Sequence, residues 1–151
     1  MILMAFGTRP EYIKIKPLIK EMQGKIPFKL LFTGQHVDLL ANVEDQDVIK
    51  LDIQDGSNRL DSIVSSIMNQ DDIFEGVDSV LVQGDTTSVF AIALAAFHRR
   101  IKVIHLEAGL RTYDRDNPYP EEFYRQCISK IATIQQTSRL SHRRYSPMSY
   151  P

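Results

Sequence analysis

Cysteine is almost missing from this chain. Of 151 residues only Cys127 carries a thiol, so no internal disulfide can form, and neither a Cys/His metal spacing nor a Cys-x-x-Cys redox pair exists. A reducing, cytoplasmic setting is the expectation. Long apolar runs are lacking as well. None approaches the ~20 residues of a membrane helix, and Met1 to Phe6 has no basic flank and runs straight into Gly7-Thr8-Arg9-Pro10, so it reads as a strand rather than a targeting segment. Charge of one sign is also scarce. With a formal net charge of -1, no global field points to nucleic acid or to an anionic membrane. Two familiar phosphate loops are missing too: no Gly-x-Gly-x-x-Gly follows the first strand, and no Gly-x-x-x-x-Gly-Lys-Ser/Thr occurs, which disfavours a dinucleotide fingerprint and a Walker A site. No metal site and no cofactor is expected.

What is present is alternation. Strand-like runs at Ile2–Phe6, Phe28–Phe32, Ser79–Val82 and Ile101–Ile104, with a weaker one near Val48–Leu51, are separated by helical patterns. The first helix begins near Pro10 and carries Ile13, Leu18, Ile19 and Met22; Pro17 falls inside it and is expected to kink or restart it. A short helical segment with Val37, Leu39, Leu40 and Val43 follows the second strand. Further helices are expected over Leu60–Met68, about Thr86–His98 and about Glu121–Thr133. Strands alternating with helices predict an α/β fold with a parallel, doubly wound sheet. The length suits one domain, here residues 1–133, because a two-domain enzyme needs more chain. Residues 134–151 hold three arginines, no acid and little apolar periodicity, and are expected to form a disordered basic tail.

Three of the strands stop at polar clusters: Gly7-Thr8-Arg9-Pro10-Glu11, Gln83-Gly84-Asp85-Thr86-Thr87 and His105-Leu106-Glu107-Ala108-Gly109. In a parallel α/β sheet ligands bind outside the carboxyl ends of the strands, so Arg9, Asp85 and Glu107 are expected to line one crevice. An arginine suits a phosphate, and two carboxylates suit sugar hydroxyls or proton transfer. Lys14 and the N-H groups of the helix starting near Pro10 would complete an anion site. Each residue also has a plainer reading. Arg9 pairs with Glu11 or Asp85; Asp85 caps the helix at Thr86; His105 and His36 are packed or hydrogen-bonded; His98 ends a solvated helix; Glu121 and Glu122 are first-turn acids.

At these residues the sequence resembles the non-hydrolysing UDP-N-acetylglucosamine 2-epimerases. The matching segments, in the family's order, are Phe6 to Lys14 with Lys16-Pro-Leu-Ile19, Thr33-Gly-Gln-His36, Val80 to Thr87, Leu94-Ala-Ala-Phe97, His105 to Thr112, and Pro118-Tyr-Pro-Glu-Glu122 with Arg125. The resemblance implies a Rossmann-like domain, the N-terminal half of a glycosyltransferase-B-like two-domain fold. It also implies a reaction on UDP-sugars that uses no redox cofactor: UDP is eliminated after loss of the C2 proton and added back with the opposite configuration. By the same resemblance Asp85, Glu107 and Glu121 match the acidic active-site positions. Arg9, Lys14 and Arg125 match positions facing the diphosphate, and Gln35 and His36 match the segment of an activating UDP-GlcNAc site.

Two departures stand out. Tyr124 occupies a place where the family usually has asparagine, setting a large ring beside the expected site, and the family pattern dissolves after Ala132. The family's C-terminal domain has no counterpart here, so the isolated chain is expected to be inactive and to associate with a complementing C-terminal half or with itself. A hydrolysing epimerase, a related glycosyltransferase-B-type enzyme, and a non-catalytic remnant are the alternative readings.

Overall fold

The computed structural model describes residues 1–34, 48–53 and 56–137. Within them lie strands β1 (Ile2–Phe6), β2 (Phe28–Phe32), β3 (Val48–Lys50), β4 (Ser79–Gln83), β5 (Lys102–Leu106) and β6 (Ile134–Gln136). The helices are α1 (Arg9–Met22), α2 (Arg59–Met68), α3 (Thr87–His98) and α4 (Glu121–Ile131). All neighbouring strands are parallel, in the order β3-β2-β1-β4-β5-β6. The chain winds outward from β1 to β3, returns to β4 beside β1, and winds outward again. This is the doubly wound sheet that the alternation predicts.

Side chains of successive strand residues point to opposite faces, which splits the core in two. Met4, Phe6, Leu30, Phe32 and Leu81 meet Tyr12, Ile15, Ile19 and Met22 of α1 on one face. Leu3, Ala5, Leu31, Val80, Val82 and Val103 meet α2, α3 and α4 on the other. Helix α3 sits innermost, and Ala91, Ala93, Ala95 and Ala96, all buried, let it approach the sheet closely. Beside them Ile92 is 0% exposed, and burial of such a side chain contributes about 1.5–3 kcal/mol.

The structure departs from the sequence expectations at four places. Helix α1 is continuous from Arg9 to Met22 and does not restart at Pro17, which is exposed, so the hydrogen bond proline cannot make is lost on the water side. Ile13 does not join the packed face and is 57% exposed; the buried stripe is Tyr12, Ile15, Ile19 and Met22. Strands β4 and β5 run on through Gln83 and through His105 and Leu106. Finally, the sheet continues past residue 133, because Ile134–Gln136 pair with β5. The Thr133 N-H donates to Val103 O at 2.8 Å and the Ala108 N-H to Gln136 O at 3.1 Å. Backbone pairing makes this strand, so its side chains carry no pattern. Residues 138–151 and the segment with Val37 to Val43 lie outside the described residues.

Candidate functional site

The strand order reverses between β1 and β4, and it is outside the carboxyl ends of the strands at such a reversal that an open α/β sheet binds its ligands. The loop after β1 is built by Thr8, the N-cap of α1, whose hydroxyl accepts from the Glu11 N-H while Glu11 Oε2 takes the N-H groups of Gly7 (2.6 Å) and Thr8 (2.8 Å). This capping box, Thr8-x-x-Glu11, is legible in the sequence as a helix start. Glu11 is 4% exposed and its second oxygen accepts from the Thr86 hydroxyl at 2.9 Å, tying the loop after β1 to the loop after β4. Gly7 is needed there, since a Cβ at this position would lie 2.7 Å from Thr33 Oγ1.

Arg9 opens α1, is exposed, and has no ion pair among the described residues, so neither expected partner, Glu11 nor Asp85, engages it. One turn on, Lys14 reaches across to the end of β5 and binds both oxygens of Glu107, at 2.8 and 2.6 Å. Gln83 Nε2 donates to the same carboxylate. Glu107 has φ 66, in the left-handed region that a residue with a Cβ rarely adopts. Such strain is held by surrounding contacts and is found most often at functional positions.

A second cluster lies toward α4. Asp85 is not the cap of α3: Thr86 is, accepting from the Val89 N-H. Asp85 Oδ2 instead accepts from Arg125 Nε at 2.7 Å and lies 2.5 Å from Nη2, so the guanidinium converges on one carboxylate oxygen. Arg125 Nη1 also donates to Glu122 at 3.3 Å. Glu122 is 0% exposed and accepts further from Arg111 Nε (3.0 Å), the N-H groups of Thr112 (3.1 Å) and Tyr113 (3.2 Å), and Gln126 Nε2 (3.3 Å). Burial alone would raise its pKa, but the Thr112 amide, the Arg111 and Gln126 donors and the Arg111 charge outweigh burial and bring it down to about 2. Sequence reasoning saw only a first-turn acid here. The Glu122/Arg125 spacing of three residues was the available local signal; the contact with Arg111 is tertiary.

Between the clusters sits His105, 1% exposed. Its Nε2 lies 2.7 Å from Gly84 O and Nδ1 has no partner among the described residues. Burial lowers its pKa below the ordinary value, against the Gly84 bond and the charges of Asp85 and Glu107, which pull upward. The ring is therefore neutral at pH 7, with Nε2-H donating to the carbonyl that precedes Asp85.

Of the residues named from the sequence, Asp85 and Arg125 are in direct contact, as are Lys14 and Glu107. Glu121 is half-buried at the start of α4, and Gln35 and His36 lie outside the described residues. Tyr124 turns toward α3, with its ring stacked on Phe90 (centroids 4.8 Å apart, 10° between planes) and its hydroxyl 3.4 Å from Thr87 Oγ1. It packs α4 on α3 and is 8% exposed. The arrangement offers one unpaired cation at a helix start and two carboxylates, each held by its own base, as a phosphate-bearing ligand with hydroxyls would require. No group of metal-ligating side chains and no helix long and apolar enough to cross a membrane occurs among the described residues.

The family model for UDP-N-acetylglucosamine 2-epimerase matches residues 20–145. The chain is 44% identical over 140 residues to the UDP-N-acetylglucosamine 2-epimerase of Salmonella borreze, covering 87% of this chain and 37% of that protein. It is 40% identical over 145 residues to the enzyme of the same name from Campylobacter jejuni, covering 90% and 38%. Among solved structures, the UDP-GlcNAc 2-epimerase of Neisseria meningitidis bound to UDP-GlcNAc superposes with a TM-score of 0.81 at 40% identity, over 90% of this chain and 39% of that one. Acinetobacter baumannii MurG, at 21% identity and a TM-score of 0.60, shares the fold. The domain is thus the N-terminal, Rossmann-like half of a glycosyltransferase-B-like architecture, and the chain spans a little over a third of the length of the curated relatives it matches.

Proposed function

Because this chain belongs to the UDP-N-acetylglucosamine 2-epimerase family, we propose that it forms one wall of an enzyme interconverting UDP-GlcNAc and UDP-ManNAc. In this reading a carboxylate takes the C2 proton, the C1–O bond breaks and UDP leaves with the bonding pair, giving a 2-acetamidoglucal. UDP then adds back at C1 while a proton returns to the opposite face of C2. Asp85, Glu107 and Glu121 are the acid/base candidates. A C2 proton is weakly acidic, so its base must lie within hydrogen-bond reach and be tuned by its neighbours. Arg9, Lys14 and the N-terminus of α1 meet the charge that develops on the leaving diphosphate. Arg125 belongs to the same set, acting from beside Asp85. Gln35 and His36 serve an activating nucleotide-sugar site, and a polypeptide corresponding to the remaining length of the relatives, or a second copy, is the partner.

The observation that carries this reading is the Lys14–Glu107 pair. It brings the anion-binding end of α1 onto the strained carboxylate at the end of β5. Diphosphate competes for Lys14 and so frees the Glu107 carboxylate to face the sugar. Two measurements test the proposal. Millimolar UDP, a concentration matched to weak binding by one wall of a cleft, should shift the NMR amide signals of Gly7 to Lys14; unmoved signals would remove the nucleotide site. These 151 residues joined to the remaining length of the relatives should incorporate solvent deuterium at C2 of UDP-GlcNAc, whereas the same residues by themselves, which cover 37% of such a relative, should not.

A further inference from the structure

We infer that Glu122 is a positioning residue for this site: it anchors Arg125 from beneath, and Arg125 in turn sets the orientation of the Asp85 carboxylate. The four side chains form an alternating row, Arg111–Glu122–Arg125–Asp85, closed by contacts of 3.0, 3.3 and 2.5 Å. Exposure falls to nothing in the middle of the row and rises at the reacting end: the side chains are 12, 0, 8 and 26% exposed in that order. A carboxylate with no access to water has only protein donors to compensate its charge, so letting one guanidinium go leaves a buried anion short of a partner. Asp85, by contrast, can be hydrated. The anchor is Glu122, and Asp85 is the group being held.

The same carboxylate takes the Thr112 and Tyr113 N-H groups, at 3.1 and 3.2 Å. It therefore fixes the segment after β5 against α4 with the atoms that fix Arg125. Tyr113, with φ 63, sits in a backbone conformation that this bond helps hold. Arg125 has two N-H groups hydrogen-bonded, Nε to Asp85 and Nη1 to Glu122, with Nη2 in ion-pair contact with Asp85. It thus acts on the site by way of Asp85 as well as through its own charge, while Arg9 is the cation without an ion pair among the described residues and Lys14 must be won from Glu107.

The inference rests on the proposed reaction only in treating Asp85 as a reacting group; its test needs no substrate, so failure of UDP binding and failure of the anchor are read separately. The probe is the Arg125 guanidinium in arginine side-chain NMR of the chain. In the unaltered protein its Nε-H should exchange slowly and its Nη groups should be separately resolved, as for a guanidinium clamped on two sides. Glu122→Gln, which takes the charged acceptor from Nη1, should quicken averaging of the Nη signals by more than about tenfold, the scale of losing one buried charge-assisted hydrogen bond, and shift the Asp85 and Thr86 amides while the core spectrum stays dispersed. A dispersed spectrum with Arg125 unchanged would overturn the inference. Should Glu122→Gln fail to fold, Asp85→Asn decides: the Arg125 Nη groups stay separately resolved if Glu122 is the anchor, and become averaged if Asp85 was holding the guanidinium.

Discussion

Two ion clusters flank the same crevice, and they differ in almost everything except their chemistry. Lys14 and Glu107 pair at 2.6 Å with side chains 49 and 40% exposed. Glu122 pairs with Arg111 and Arg125 at 3.0 and 3.3 Å and is itself 0% exposed. The shorter pair is the weaker one energetically, because water screens it and competes for both ends. The buried cluster is costly to assemble and more costly to break, because removing one member leaves charge behind where water does not reach. A crevice that must release cations to a ligand and still hold a carboxylate in place has use for both kinds.

The sharpest way to break this contrast is Glu122→Ala, which takes the carboxylate partner from Arg111, one of two from Arg125, and the acceptor from two backbone N-H groups. It should lower stability by about 3–5 kcal/mol, read from chemical denaturation; a loss no larger than that of a surface variant would mean the cluster is solvated in solution. Acid probes the same residue. Its folded pKa of about 2 lies below the ordinary 4.5, so its contribution is complete above pH 4.5 and is lost as pH falls toward 2. The loss is on the order of 3 kcal/mol. Glu122→Gln should flatten that part of the stability profile. His105 adds in the same direction at higher pH: its folded pKa is depressed by burial, so the unfolded chain takes up the proton first and stability declines as pH falls below about 6.5. His105→Gln should remove that limb, seen in melts between neutral and mildly acid pH.

Tyr124→Asn, which installs the small amide expected from the resemblance, should cost about 2–3 kcal/mol through loss of the Phe90 stack. Melts of the variant check this, and an unchanged midpoint would show that the ring packs nothing. On the exposed side the effects shrink. Lys14→Ala should change stability by less than about 1 kcal/mol yet weaken UDP binding. A large stability loss would erase the distinction between the clusters. Arg9→Ala is the smallest case, within about 0.5 kcal/mol in stability, with its effect confined to UDP-induced shifts near Gly7.

The fold was legible wherever the side chains themselves carry the signal. Apolar runs of β1, β2, β4 and β5 and the helical spacing of α2 and α3 match the structure closely, because a strand or helix covered on its packed face must be apolar there. The edge strand β6 escaped, since only its backbone pairs with β5 and its residues are exposed. The placement of three polar residues was legible: Arg9, Asp85 and Glu107 stand just past the ends of β1, β4 and β5. Their pairing was not. That Lys14 would reach Glu107 across 93 residues, that Asp85 would take Arg125 instead of capping α3, and that Glu122 would be the buried neighbour of Arg111 were decided by packing alone. The sequence by itself determined the α/β class, the capping box at Thr8 and Glu11, and the residue types around the crevice. Tertiary structure decided which charges meet and how dry each meeting place is, because burial depends on what the rest of the chain lays over a residue.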